Sequence, residues 1–259
     1  MDLYNFGKGD VPAHKHPNGG GWVADTAEVD ITCYVGPYAF VYDNARIKDN
    51  VRIDDYARVF GNASVCQNAK VYGDAQVYGQ AVLYNNSKVS VKAKVYGKAK
   101  LYDNCSVYDN AEVFDDATIR NFSEVYENSK ICGNAVLIDH TKIYNDCIVT
   151  RQPLIILTGK ISPIISHITI TDNLISIGCI VLPPSIWKKY GVTIFKYFKN
   201  YFTYNENEME KWINILLYMA EFHNCVDRPD DIEKIEKNKV IQRILAGETQ
   251  DRNINKGTM

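Results

Sequence analysis

The side chains with the clearest chemical potential are cations and tyrosines that recur every 18 residues along the chain. Arg52, Lys70 and Lys88 form one such series, called here the basic column, and Tyr84 and Tyr102 form the tyrosine pair. Cationic groups bind phosphate oxygens through charge-assisted hydrogen bonds, and aromatic rings stack on planar bases. We place both series on one face of the fold, where they predict a site for a small phosphorylated ligand of the nucleotide type. The alternative is that the basic column is a solvated surface.

Histidines near the N-terminus offer a second chemistry, metal binding. His14 and His16 lie two residues apart, and three consecutive glycines from Gly19 to Gly21 follow them. Metal sites need further Cys, His, Asp or Glu ligands, and no nearby residue completes such a set. We therefore interpret this segment as a flexible cap over the open end of the fold and expect no metal. Elsewhere the sequence shows no nucleophile or pair of carboxylates at a diagnostic spacing.

The element that positions these side chains is a repeat of six residues. Every sixth residue from Val23 to Ile143 is Val, Ile or Leu, and the residue four positions later is mostly Ala, with Cys, Ser, Thr and one Val as substitutes. The hexad alternates inward and outward side chains, as a strand does. Two turn residues, such as Gly61-Asn62, then tolerate positive φ. Each hexad therefore predicts a short strand and a corner, and three hexads close a triangular coil.

The repeat predicts a mainly β fold, a parallel β-helix of hexapeptide repeats over residues 23–166. Residues 18 apart then lie above one another, separated by one strand spacing of about 4.8 Å. The small residue of each hexad lies beside a corner, where a tight triangular cross-section leaves no volume for a larger side chain.

The repeat resembles the hexapeptide-repeat superfamily of left-handed β-helices. Hexads such as VYGDAQ and VYGQAV, which begin at Val71 and Val77, resemble a VYGNA-type branch seen in bacterial and phage genomes. The resemblance covers more than half of the chain and implies left-handed winding, which periodicity alone does not fix, and assembly into parallel homotrimers. Superfamily members that transfer acyl groups from coenzyme A use a histidine as general base, so the resemblance offers His140 and His167 as catalytic candidates.

Large aromatic residues form the longest series at the 18-residue interval, called here the five-ring column: Tyr42, Phe60, Tyr78, Tyr96 and Phe114. Each ring can bury roughly 150 to 250 Å², so an exposed column would exceed the apolar patch usual on a monomer. We therefore expect the five-ring column to form the subunit interface of the trimer. The alternative is that the rings stack along the sheet and stabilise it. That alternative also applies to a second series, the tyrosine column: Tyr72, Tyr108, Tyr126 and Tyr144.

The segments outside the repeat predict four further parts. Residues 1–22 form the N-terminal cap, and residues 167–185, which alternate apolar side chains before Pro183-Pro184, predict terminal strands. Residues 186–247 predict a helical appendage with two helices, the second beginning near Pro229 and stopping at Gly247. The first of these helices carries apolar residues at helical spacing: Met209, Trp212, Ile213, Leu216 and Ala220. Residues 248–259 are polar and predict a disordered tail.

Charge and cysteine content limit the expected partners. The chain carries 29 Lys and Arg against 31 Asp and Glu, so its net charge gives no reason to expect long nucleic acid. The first residues do not show the basic segment followed by an apolar stretch that is typical of a signal peptide. No apolar run approaches the roughly 18 residues that a membrane span requires. Cys33, Cys105 and Cys147 replace corner alanines and predict buried free thiols. These features predict a cytoplasmic protein without a membrane partner.

The function that the sequence favours is binding without catalysis. A homotrimer, which the appendage could pair into a dimer of trimers, would hold a small anionic ligand between subunits without a cofactor. The resemblance to the branch seen in phage genomes, together with the two series, implies a protein that sequesters a host nucleotide signal. The alternative is an acyltransferase that uses acetyl or acyl coenzyme A. The chain departs from that plan, because residues 23–148 eject no loop and tyrosine mostly replaces the usual glycine after the aliphatic position. A structural scaffold is the second alternative.

Overall fold

The structure is a computed structural model that describes residues 2–138, 140–151, 153–157, 167–177, 180–197, 206–237 and 242–243. The chain divides into two compact units, Met1–Pro153 and Leu154–Met259. The first unit is a parallel β-solenoid of about seven turns, which fits a left-handed β-helix. The predicted mainly β architecture is therefore confirmed.

Three sheets form the sides of the solenoid, and from β3 to β24 successive strands of the chain belong to successive sheets. Sheet A contains β1 (Asp2–Asn5), β2 (Asp10–Lys15), β3 (Trp22–Ala24), β6 (Phe40–Val41), β9 (Arg58–Val59), β12 (Gln76–Val77), β15 (Lys94–Val95), β18 (Glu112–Val113), β21 (Lys130–Ile131) and β24 (Ile148–Val149). Sheet B contains β4 (Glu28–Val29), β7 (Arg46–Ile47), β10 (Ser64–Val65), β13 (Val82–Leu83), β16 (Lys100–Leu101), β19 (Thr118–Ile119) and β22 (Val136–Leu137). Sheet C contains β5 (Tyr34–Val35), β8 (Arg52–Ile53), β11 (Lys70–Val71), β14 (Lys88–Val89), β17 (Ser106–Val107), β20 (Glu124–Val125) and β23 (Lys142–Ile143).

The predicted buried pair of each hexad forms the core of the solenoid. Val71, Val77 and Leu83, from three successive strands, are fully buried, as are the corner residues Ala75 and Ala81. Parallel pairing keeps the 18-residue register throughout; for example, Val71 pairs with Ile53 and with Val89. Backbone hydrogen bonds between coils follow the same register, as when the Tyr78 N–H donates to the Val95 carbonyl at 3.0 Å. The side chains that point outward are therefore arranged in straight columns.

Corner side chains also bond from coil to coil. The Gly61 N–H donates to the Asp43 carboxylate at 3.2 Å, and the Gly133 N–H donates to Asp115 at 3.1 Å, each across 18 residues. Asp43 and Asp115 have φ values of 58° and 56°, a conformation that aspartate tolerates better than most residues. The choice of Gly, Asn and Asp at corners therefore reflects both backbone conformation and hydrogen bonding.

Among the described corners, three have a residue other than Gly, Asn or Asp at positive φ: Gln67, Val91 and Glu127. Val91 has a φ of 62°, whereas Gly73 and Asp109 occupy the equivalent positions in the neighbouring coils. A β-branched residue is strongly disfavoured in this conformation, which costs on the order of 1–3 kcal/mol. Val91, in the corner that follows strand β14, is the β-branched residue of the three and holds the most disfavoured conformation.

The N-terminal segment is a β-hairpin that continues sheet A. Strand β1 pairs antiparallel with β2, and β2 pairs antiparallel with β3. Tyr4 stacks on Trp22 with ring centroids 4.6 Å apart, and Phe6 stacks on Tyr42 at 4.9 Å. These contacts hold the hairpin against the first coil. The cap is therefore a packed hairpin, whereas we expected a flexible segment.

The glycine loop after this hairpin closes the first coil. The Gly21 N–H donates to the Val35 carbonyl at 3.0 Å, which protects the otherwise unpaired edge of β5. A Cβ atom on Gly21 would lie 2.3 Å from the Gly36 carbonyl oxygen, so a larger residue cannot approach this edge. Close packing against the coil therefore explains Gly19 and Gly21, whereas Gly20 has open space and a φ of 77°.

The parallel ladders end with β24 at Val149, not at residue 166 as we predicted. Strand β25 (Leu154–Leu157) belongs to the second unit, where it pairs antiparallel with β26 (His167–Ile170). Strands β27 (Ile175–Ile177) and β28 (Ile180–Leu182) complete this four-stranded sheet D, in the order of the chain. The apolar residues 154–157 continue the pattern of the repeat, but the turn residues that close a coil are missing between them, which favours a longer strand. Residues 158–166 lie outside the described residues.

In the part of the chain that the structure describes, three helices follow sheet D: α1 (Pro184–Tyr197), α2 (Glu206–Phe222) and α3 (Pro229–Lys237). The predicted first helix corresponds to α2, which buries Met209, Ile213, Leu216 and Ala220. The sequence did not predict α1, whose Trp187 is buried and donates its indole N–H to the Ile175 carbonyl at 2.9 Å. Helix α3 begins at the predicted proline, Pro229. We predicted that this helix continues to Gly247, but after Lys237 the structure describes only residues 242–243, and the predicted tail 248–259 also lies outside the described residues. No described helix is long and apolar enough to cross a membrane.

Candidate functional site

The basic column lies on sheet C. Strand pairing places Lys70 beside Arg52 on one side and beside Lys88 on the other. The next rungs of the same series are Ser106 and Glu124. The cations are therefore neighbours at successive coils, as the 18-residue interval predicted.

The three cations differ in their surroundings. The Arg52 guanidinium lies 4.1 Å from the centre of the Tyr34 ring and forms an ion pair with Asp54. Lys70 and Lys88 are exposed, and neither has an acidic partner within the part of the chain that the structure describes. At the other end of the series, Glu124 pairs with Lys142 at 3.1 Å and accepts a hydrogen bond from the Tyr108 hydroxyl at 3.2 Å. The two lysines thus remain as cations that no neighbouring carboxylate neutralises.

The tyrosine pair does not share this face, so our assignment of both series to one face is wrong. Tyr84 follows strand β13 and Tyr102 follows β16, both of which belong to sheet B. Their rings meet edge to face, with centroids 6.3 Å apart and planes at 68°. A corner separates Tyr84 from Lys88, because residues 85–87 turn the chain from sheet B to sheet C. The side chains on either side of a convex corner diverge, which separates these rings from the basic column.

The aromatic residues that share sheet C with the lysines are Tyr34, which contacts Arg52, and those of the tyrosine column. Lys70 and Tyr72 flank the buried Val71 on one strand, so both side chains point outward. The rings of Tyr108 and Tyr126 stack 4.9 Å apart, and those of Tyr126 and Tyr144 stack 5.2 Å apart. The spacing of two residues between Lys70 and Tyr72 was the signal in the sequence that could have assigned these rings to the candidate site.

The hydroxyl groups of Tyr108 and Tyr126 remain protonated well above neutral pH. Burial raises the pKa of Tyr126 to about 12, with a further contribution from Tyr144 and nearby carboxylates. Burial and the neighbouring Glu124 carboxylate likewise raise the pKa of Tyr108. The column therefore presents neutral rings beside two cations, a combination that suits an anionic ligand with an aromatic group.

The five-ring column forms a continuous stack on sheet A. Adjacent rings from Tyr42 to Phe114 lie 4.8 to 5.0 Å apart, with nearly parallel planes. Tyr42 is only 7% exposed, because Phe6 of the N-terminal hairpin covers it. Phe60, Tyr78, Tyr96 and Phe114 are half-buried within the single chain. The stack accounts for much of the aromatic burial, which reduces the apolar area that we assigned to a subunit interface.

The two histidine candidates for acyl transfer belong to different units of the chain. His140 is exposed at a corner, where its ring stacks on Phe122 with centroids 5.1 Å apart. In the described part of the chain, no carboxylate orients this ring as a general base requires. His167 begins strand β26 of the second unit, and its side chain lies outside the described part.

The cap histidines have separate roles. The His14 Nδ1 atom lies 2.8 Å from an Asp25 carboxylate oxygen, whereas His16 is buried and contacts the backbone of Asn18. Among the described residues, no group of three or more His, Cys, Asp or Glu side chains could hold a metal ion. Cys33, Cys105 and Cys147 are buried as predicted, and burial raises the pKa of Cys105 to about 12. Such a thiol is protonated and therefore a poor nucleophile.

No protein-family model matches the chain, and no curated protein matches it.

Proposed function

We propose that this protein binds a small phosphorylated ligand with an aromatic group on sheet C and does not catalyse a reaction. The observation that carries the proposal is that Lys70 and Lys88, two cations without an acidic partner among the described residues, share a face with the tyrosine column. Phosphate oxygens would receive charge-assisted hydrogen bonds from the lysines, and a ring would stack on tyrosine. Sequestration of a nucleotide signal is the biological role that this chemistry suggests.

The proposal includes a homotrimer that associates through the exposed parts of the five-ring column on sheet A. Sheet C adjoins sheet A at the corner after Tyr72, so a trimer of this kind would place the ligand near the groove between subunits. We also propose that the chain belongs to the hexapeptide-repeat superfamily, in its VYGNA-type branch. The regular 18-residue coil supports the superfamily proposal, and the exposed parts of Phe60, Tyr78, Tyr96 and Phe114 support the trimer.

Neither alternative function has a specific observation in its favour. An acyltransferase needs an oriented general base, and the exposed His140 stacks on a phenylalanine instead. A structural scaffold does not require two neighbouring cations without acidic partners, which repel each other on the same face. Coenzyme A nevertheless carries phosphates and an adenine ring, so binding of coenzyme A without turnover would agree with the proposal.

Calorimetric titration with ADP tests the lysines. We expect Lys70→Glu combined with Lys88→Glu to weaken ADP binding by roughly tenfold or more, because two charge-assisted contacts become repulsive. Binding to the unchanged protein should weaken as salt concentration rises, since exposed charges are screened. The control combines Lys98→Glu with Lys100→Glu, which changes the net charge equally but leaves sheet C unchanged. Equal affinity of the two double variants would contradict a site on sheet C.

A further inference from the structure

The tyrosine column has one missing ring. Its register on sheet C runs from Tyr72 through Ser90 to Tyr108, at intervals of 18 residues. Rings on adjacent rungs below Tyr108 stack 4.9 to 5.2 Å apart. Two strand spacings, about 9.6 Å, separate the rungs of Tyr72 and Tyr108. A single additional ring between them would therefore lie at the stacking distance from both.

Three residues border this gap: Ser90, Tyr72 and Tyr108. Ser90 is only 6% exposed, so neighbouring side chains cover it and a bound ring would have to displace them, whereas Tyr72 on the preceding rung is 39% exposed. Tyr108 forms the opposite wall, where the hydrogen bond to Glu124 and the stack on Tyr126 fix its ring. We call the gap between these two rings the Ser90 slot.

A second irregularity occurs at the next residue. Val91, which holds the strained positive φ, is 48% exposed at the edge of the slot. Asp or Gly would occupy that corner without strain, as Gly73 and Asp109 do in the adjoining coils. Strained residues of this kind cluster at functional sites, where a particular side chain is retained despite its cost. The two departures from the repeat in consecutive residues therefore point to one place on the surface.

Two cations of sheet C lie beside the Ser90 slot in the strand register. Lys88 precedes Ser90 by two residues on the same outward side of the strand, which corresponds to about 7 Å. Lys70 occupies the same series one coil earlier, beside Tyr72. Asp54 and Glu124, the acidic residues of these columns, are paired with Arg52 and Lys142. A ring in the slot would thus have its attached phosphates beside two available lysines.

We infer that the Ser90 slot binds the base of a purine nucleotide between Tyr72 and Tyr108, with Lys70 and Lys88 holding its phosphates. This inference rests on the proposed function and specifies its ligand as a planar base joined to at least two phosphate charges. The base supplies the ring that the protein omits at this rung.

Replacement of Ser90 by tyrosine, the residue that occupies the neighbouring rungs of the column, tests the slot. Ser90→Tyr should fill the gap with a ring that stacks on Tyr72 and Tyr108, so the variant should fold with an unchanged or higher Tm. ADP binding should nevertheless weaken by roughly tenfold or more, since base stacking is lost. Binding of inorganic pyrophosphate, which has no ring, should change less than threefold. Ser64→Tyr, the same substitution on sheet B, is the matched control.

The outcomes separate the slot from the broader proposal. Preferential loss of ADP affinity in Ser90→Tyr, with no loss in Ser64→Tyr, would support the slot. Unchanged ADP affinity in Ser90→Tyr would overturn it, even if the lysine variants still weaken binding. Absence of both ADP and pyrophosphate binding by the unchanged protein at low salt would overturn the proposed function itself. If Ser90→Tyr fails to fold, Tyr72→Ala removes one wall and should produce the same selective loss, whereas equal losses for ADP and pyrophosphate would contradict base stacking.

Discussion

Replacement of Ala99 by leucine is expected to lower the free energy of unfolding by roughly 1–3 kcal/mol or more and to reduce the soluble yield. Ala99 is fully buried at a corner, and the same position in the coils on either side is occupied by Ala81 and Ala117, which are also fully buried. A leucine would have to displace backbone in two adjacent coils, because hydrogen bonds hold the coils at a fixed spacing. Ala75→Leu should behave in the same way.

The control is Lys100→Ala, one residue further along the chain. Lys100 is exposed on sheet B, so its truncation should change stability by no more than about 0.5 kcal/mol. Chemical denaturation followed by circular dichroism measures both variants. If Ala99→Leu and Lys100→Ala had the same effect, the assignment of inward and outward positions would be wrong.

Tyr78→Asp combined with Tyr96→Asp is expected to convert the proposed trimer into single chains. The two rings stack 4.9 Å apart near the middle of the five-ring column, and both are only half-buried within one chain. Two carboxylates at adjacent rungs would repel each other and would be costly to desolvate between subunits. Sedimentation should report three times the 29.4 kDa chain mass for the unchanged protein and one chain mass for the variant.

The matched control for this experiment is Tyr84→Asp combined with Tyr102→Asp. It introduces the same two substitutions at adjacent rungs, but on sheet B, outside the proposed interface. We expect this variant to remain trimeric. A monomeric unchanged protein, or dissociation of both double variants to the same extent, would contradict association through sheet A.

The repeat made the solenoid predictable because each of its positions has one structural role. The aliphatic residue at every sixth position identifies the side chains that point inward, and the corner residues identify the turns. The stacking of Tyr78 on Tyr96 then follows from their separation of 18 residues along the chain. The boundary at residue 166 failed because residues 154–157 are apolar in succession, and such a run fits both a coil and a longer antiparallel strand. Helix α1 was missed because Pro183-Pro184 indicated a break, although proline is also favoured at the first position of a helix.

The candidate site was only partly predictable for a different reason. The register of the basic column followed from the sequence, but its face was assigned incorrectly, because Tyr84 and Lys88 lie close in sequence on opposite sides of a corner. The Ser90 slot could have been recognised from the sequence as the one rung without a ring between Tyr72 and Tyr108. The strain at Val91 could not, since φ is known only once the corner is built.

The central claim, that sheet C binds a phosphorylated aromatic ligand, is tested most directly by mass spectrometry of small molecules that co-purify with the protein at low salt. The account predicts a phosphorylated nucleotide that denaturation releases from the unchanged protein and that the Lys70→Glu, Lys88→Glu variant lacks. The Lys98→Glu, Lys100→Glu variant should retain it. The same small molecules from all three proteins, or none from any of them, would contradict the claim.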